Sequence, residues 1–155
     1  MGVLRVIYAR SHTLGGLWIR HHDNVAPRRW SHSGAIVDTG PGEPFVIEAR
    51  AFHGVTQTPL DEFIERYSAT EIVEYEAPDP KAGDEWACAQ IGKRYDYLAV
   101  FGRAFRTSWQ DEGSWHCQEL NEQRLVLAGA RRFRSEPALI TPNLGYMVIA
   151  HASVR

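Results

Sequence analysis

The 155-residue sequence predicts an α+β fold in which an antiparallel sheet packs against a helix that begins with a cysteine. Two observations carry this. Segments 34–38 and 45–49 are strand-like and are joined by Asp38-Thr39-Gly40-Pro41-Gly42-Glu43, a run dense in turn formers, so they are expected to pair as an antiparallel hairpin. Residues 117–128 carry Glu119 and Glu122 early, Leu120, Leu127 and Ala128 along one face, and Gly129 as a stop, which is the pattern of a helix.

The remaining elements follow in chain order. Residues 3–8 alternate around Arg5 and read as a first strand rather than a signal peptide. Residues 14–20 are rich in large apolar groups and form a short helical or irregular stretch that walls a cleft or simply packs in the core. A helix over 59–67 is expected to take Thr58 as its N-cap, Pro59 in its first turn and Asp61 near the box position, with Leu60, Phe63, Ile64 and Tyr67 turned inward. Residues 71–77 read as a strand that Pro78-Asp79-Pro80 breaks, and 84–91 as a helix stopped by Gly92. A further helix follows Asp96, with Leu98, Phe101 and Phe105 along one face. Trp109 and Trp115 flank a loop over 107–114, where they could clamp a ligand or serve packing alone. The apolar run 145–150 is expected to be a strand buried in the sheet.

Length, charge and cysteine usage narrow the class. The chain suffices for one sizeable core, so a single domain over 1–155 is expected, without repeats, low-complexity tracts or linkers. A net charge of −2 argues against nucleic acid as a partner, and the pairs Arg28-Arg29 and Arg131-Arg132 read as solvated surface. No apolar stretch is long enough for a membrane span. Two cysteines make a poor disulfide framework, so free thiols and a reducing, cytoplasmic setting are expected.

The chemistry concentrates at Cys117. At a helix start, a thiol feels the positive end of the helix dipole, and a nearby imidazolium adds to that pull toward thiolate. A buried structural thiol is the plainer alternative. The expected hairpin brings Glu48 back toward the end of the strand where His32 sits. A cysteine, a histidine base and a carboxylate that orients the histidine together make a thiol acyl-transfer site. The other histidines, among them His21, His22, His53 and His151, fall in no spacing that lets two ligands from one element face an ion, so no metal or other cofactor is expected. A Gly-rich phosphate loop, a Gly-x-Ser-x-Gly elbow and a dinucleotide fingerprint are all missing from the sequence.

The order Ser31-His32-Ser33-Gly34-Ala35-Ile36-Val37, Val46-Ile47-Glu48-Ala49, Gly54-Val55 before a helix Leu60-Asp61-Glu62-Phe63-Ile64-Glu65-Arg66, Lys93-Arg94-Tyr95-Asp96-Tyr97, and His116-Cys117-Gln118-Glu119-Leu120 resembles a known family. It is that of the circularly permuted NlpC-type papain-like hydrolases of the YiiX kind, relatives of the lecithin:retinol acyltransferase-like proteins. In that group the histidine precedes the nucleophile, as His32 precedes Cys117 here, and the likeness runs from about residue 3 to 128. The resemblance implies a permuted papain-like fold with Cys117 as nucleophile, His32 as general base and Glu48 as the orienting third member. Tyr95 matches a tyrosine near the site and is expected to help bind the oxyanion. The residue after the cysteine, usually serine, is Gln118, and the one before it, often aromatic, is His116. His116 and Trp115 are expected to line the substrate cleft, so substrate choice departs from the family more than chemistry does.

The expected activity is therefore that of a cysteine hydrolase or acyltransferase acting on a small-molecule, peptide or lipid substrate. By resemblance an amide of a peptide comes first, with a cell-wall peptide as one source, and an ester or lipid acyl transfer second. A binding or assembly module that retains the fold without chemistry is the alternative from a different class.

Overall fold

A computed structural model describes residues 1–22, 29–38, 40, 42–96, 114–135 and 137–152. It is an α+β structure built on a five-stranded antiparallel sheet. In chain order the strands are β1 (Gly2–Arg10), β2 (His32–Val37), β3 (Phe45–Arg50), β4 (Gly54–Pro59) and β5 (Ala69–Ala77), and in space they run β4-β3-β2-β1-β5. The helices are α1 (Leu14–His22), α2 (Leu60–Arg66), α3 (Pro80–Cys88), α4 (Cys117–Leu127) and α5 (Pro142–Ala152). Two-residue strands β6 (Arg94–Tyr95) and β7 (Ser114–Trp115) pair in parallel just ahead of α4. The helix expected after Asp96, the loop from 107 to 113 with Trp109, and Arg28 lie outside the described residues.

Strand alternation sorts the side chains into two layers. Leu4, Val6 and Tyr8 of β1 pack with Val73, Tyr75, Leu125 and Ala128, and Ala35, Val37 and Ile47 pack with Ala87 and Leu120, so α3 and α4 cover one face. Ile7, Ala9, Ile36 and Val46 pack with Phe63 of α2 on the other. The 34–38 and 45–49 hairpin forms, with Ala35 opposite Ile47 and Ile36 opposite Val46. Continuing that register sets Glu48 across from Gly34, two residues from His32 and on the same face.

Several local expectations change. The C-terminal apolar run is the helix α5, not a strand. Thr141 accepts the Leu144 N–H at 3.1 Å through its hydroxyl, and Pro142 opens the helix with a φ already suited to it. An apolar run of six residues fits either element by pattern alone; Tyr146 decides the case by packing edge-on against Tyr8 and Trp30. Helix α3 starts at Pro80, earlier than its pattern suggested, because Asp79 caps it by accepting from Ala82 N–H at 3.1 Å. Thr58 caps nothing: it belongs to β4, and the α2 N-cap position is Pro59. Ile64 and Leu127 face solvent, whereas Phe63 and Leu125 fill the core. Arg132 is ion-paired with Glu122, donates to the Gly145 carbonyl at 2.9 Å and lies over the Tyr75 ring, so it is an interior strut rather than solvated surface.

Beneath α4, Arg124 is almost wholly buried. It donates to Asp84 at 2.8 Å and to the carbonyls of Arg5 and Ile36 at 2.9 Å each, so one guanidinium ties α4 to α3, β1 and β2. A rigid planar fork suits such divided bonding.

Gly54 fixes how β4 meets the segment that carries Tyr95. Its φ is +75°, and a Cβ there would come within 2.3 Å of the Lys93 carbonyl oxygen, which accepts from Val55 N–H at 2.8 Å. Gly54→Ala therefore combines a left-handed backbone with a backbone clash. It is expected to destabilise the protein by about 2–4 kcal/mol. The check is the denaturant midpoint, and an unchanged midpoint would show that the β4 corner relaxes freely.

Candidate active site

The sequence around Cys117 is suited to start a helix. His116 takes the N-cap position and accepts the Glu119 N–H on Nδ1 at 3.3 Å, while the Glu119 carboxylate reaches back to the His116 N–H at 3.4 Å. This is a capping box with histidine in the place usually held by serine or threonine. It leaves Cys117 as the first helical residue, where backbone N–H groups lack partners within the helix. Cys117 is 6% exposed.

His32 opens β2, and its ring packs against two aromatic rings that also touch each other. Phe63 and Tyr67 stack on it at centroid distances of 5.9 and 5.5 Å. In the ring plane, Nε2 meets Glu48 Oε2 at 2.8 Å, and the ring also hydrogen-bonds the Cys117 thiol. With Nε2 committed to Glu48, Nδ1 is the nitrogen left for sulfur. Cys117, His32 and Glu48 are thus brought into one hydrogen-bonded chain. His53, another histidine of the chain, is exposed at the β3–β4 turn.

Glu48 is fully buried and has three partners. Thr58 donates to Oε1 at 2.8 Å, Arg66 donates to the same oxygen at 2.6 Å, and His32 occupies Oε2. Burial, the largest single influence, disfavours the carboxylate, yet the His32, Arg66 and Thr58 contacts outweigh it and bring its pKa down to about 2. The His32 pKa moves the other way, well above the usual imidazole value. Burial opposes that rise. Of the influences favouring it, negative charge on Tyr67 is the largest, but burial pushes the Tyr67 phenol up as well, so it is neutral near pH 7. The contacts with Cys117 and Glu48 act in the same direction and favour the protonated ring. Arg66, Thr58 and Tyr67 carried no sequence signal of this role.

A second set of bonds holds the helix to the strand. The Ser33 hydroxyl donates to Gln118 Oε1 at 2.8 Å, and Asn121 Nδ2 donates both to Ser33 Oγ at 3.1 Å and to the Cys117 carbonyl at 3.0 Å. The neighbours of the base and of the thiol are therefore bonded to each other. Gln118, where the family pattern has serine, also donates to Glu122 at 2.8 Å and is wholly buried, so it belongs to this staple rather than to a cleft.

A cavity of about 370 Å³ adjoins the site. Its lining includes His32, Tyr67 and Tyr95 together with Arg50, Phe52 and His53. Tyr95 and His32 thus share the lining of one cavity. Trp115 and His116 do not line this cavity. Trp115 packs edge-on against Trp86 and donates to Gln90 at 3.2 Å, and His116 is buried in its capping role. Among the described residues no group of three or more His, Cys, Asp or Glu side chains could hold a metal ion, and no helix is long and apolar enough to cross a membrane.

A family model described as "permuted papain-like amidase enzyme, YaeF/YiiX, C92 family" matches residues 18–101, more than half of the chain. The matched stretch contains His32, Glu48 and Tyr95 and ends before Cys117. No curated protein matches the chain.

Proposed function

We propose, for a chain that belongs to the permuted papain-like amidase family and is a cysteine hydrolase in kind, that Cys117, His32 and Glu48 are its catalytic residues and that a peptide-like amide is its substrate. The observation that carries this is the hydrogen-bonded chain from the Cys117 thiol through the His32 ring to a buried, fully partnered Glu48. The thiol proton passes to His32 Nδ1 and the thiolate sulfur adds to the amide carbonyl carbon. N–H groups at the start of α4, assisted by the Tyr95 hydroxyl, receive the oxyanion. The imidazolium then gives its proton to the leaving nitrogen as the C–N bond breaks, which leaves an acyl thioester on Cys117. Water, deprotonated by His32, attacks that thioester and releases the acid and the free thiol. Throughout, Glu48 holds the ring in one orientation and stabilises its cationic form.

Thiol reactivity tests the assignment and separates it from a non-catalytic module. Burial pushes the Cys88 thiol up, with Asp84 adding to the effect, so Cys88 is the internal reference. Iodoacetamide, small enough for a thiol of low exposure, is expected to alkylate Cys117 at least about tenfold faster than Cys88 at pH 7. His32→Ala should remove that advantage without changing the Cys88 rate. Equal rates in the native protein would mark Cys117 as an inert structural cysteine.

A further inference from the structure

The cavity beside His32 has a charge character that the hydrolytic residues do not require. Arg50 and His53 line it together with Arg66, and no carboxylate lines it among the described residues, in a chain whose net charge is −2. The three cationic or basic groups are not equivalent. Arg66 is spent on Glu48 and Glu62, at 2.6 and 3.0 Å. Arg50 is only half-buried and has no ion-pair partner among the described residues. A guanidinium held in a concave site without an acid is suited to a planar anion, which it can engage through two parallel N–H donors.

The turn that presents Arg50 is also unusual. His53 N–H returns to the Arg50 carbonyl at 3.2 Å, and Phe52 between them has φ +67° while its ring is 90% exposed at the cavity rim. A bulky residue in the left-handed region is costly, and positions that persist there cluster where a binding surface requires the shape. Tyr67 and Tyr95 add aromatic lining to the same cavity.

Resting on the amide-hydrolase reading above, we propose that this cavity is a substrate-carboxylate site anchored by Arg50. The amides turned over are then peptide-like ones that carry a free carboxylate a few residues from the bond cleaved. A carboxylate is the anion that peptides themselves supply, through a terminus or an acidic side chain.

The test compares N-succinyl-Ala-Ala amide with its uncharged N-succinamoyl counterpart, which differs only in the terminal carboxylate. Binding is measured by calorimetry on the Cys117→Ala protein, so that it does not depend on catalysis. The succinyl compound is expected to bind about tenfold tighter, with the advantage shrinking as salt is raised toward about 1 M. Adding Arg50→Gln should abolish the preference and Arg50→Lys should keep part of it, whereas Arg131→Gln on a distant surface should leave it intact. Equal affinity for the two ligands, or a preference that survives Arg50→Gln, would overturn the proposal. Failure of the wild-type protein to form an acyl thioester with aminocoumarin versions of either compound counts against the hydrolase reading, while the binding comparison still decides the carboxylate site by itself.

Discussion

Glu48→Gln is expected to lower kcat by a factor of roughly 10 to 10⁴. The amide still fits the space but can no longer match both neighbours: one of its heteroatoms donates where the carboxylate accepted from His32 or Arg66. The imidazolium loses its buried counter-charge, so the His32 pKa falls and the alkaline limb of the kcat/KM profile moves to lower pH. Stability is affected as well, because Arg66 and Thr58 converge on the same carboxylate. Breaking a buried ion pair from one side costs about 3–5 kcal/mol, and retention of a polar, isosteric group places this change toward the lower end. In the wild type the corresponding effect appears in acid. A carboxyl lowered from 4.5 to about 2 stabilises the fold above pH 4.5, and that contribution is lost as pH falls through about 2. It is on the order of 3 kcal/mol. Chemical denaturation between pH 2 and 6 measures it: the wild type should lose stability over that interval more steeply than Glu48→Gln. An unshifted alkaline limb in the variant would remove Glu48 from the role of orienting and stabilising the ring.

Cys117→Ala is expected to abolish covalent turnover altogether, because no second thiol lies near His32 and Cys88 faces another surface depression lined by Asp84 and Lys81. Its melting temperature should hold or rise, since removing a poised group relieves an arrangement kept for chemistry rather than stability. The His32 pKa should fall, because the thiol is one of the groups that raise it. The sign follows from the direction of the shift. A histidine raised in the folded state stabilises the protein fully below 6.5 and loses that contribution as pH rises through its folded value, so the variant's stability should decline less between neutral and alkaline pH. Intact-mass measurement after exposure to an activated amide checks the first expectation, since an acyl adduct on the variant would place the nucleophile elsewhere. Histidine NMR titration checks the second.

The parts of the site that were legible in the sequence are those with local signals. Cys117 precedes a helical pattern and Gly129 ends it, with φ +77°, and turn formers between two β-branched runs fixed the pairing that places Glu48 near His32. What escaped depends on partners distant in the chain. Thr58 has the form of a cap before Pro59, yet its hydroxyl is drawn to a carboxylate ten residues away across the β3–β4 pair. Arg66 sits in the last turn of α2 where a solvated arginine is ordinary, and only the fold reveals the acid beneath it. His116 as a cap and Gln118 as a staple have no propensity signature, because histidine and glutamine acquire those functions from geometry. The terminal helix was misread because a short apolar run has no resolvable period, although Thr141-Pro142 marked its start.

The five-stranded sheet is complete by Ala77, while the thiol arrives only with α4 at Cys117. During synthesis from the N-terminus, His32, Glu48 and all five strands are therefore on hand before Cys117 is made. Strands β1, β2 and β3 meanwhile present Val6, Tyr8, Ala35, Val37 and Ile47 on a face that α4 has yet to cover. Docking of α4, through the Ser33–Gln118–Asn121 bonds and the Arg124 strut, completes the cover that α3 and α5 share and brings the Cys117 thiol to His32. A nascent or truncated chain that ends short of α4 thus lacks Cys117 and leaves part of this apolar layer open to other chains.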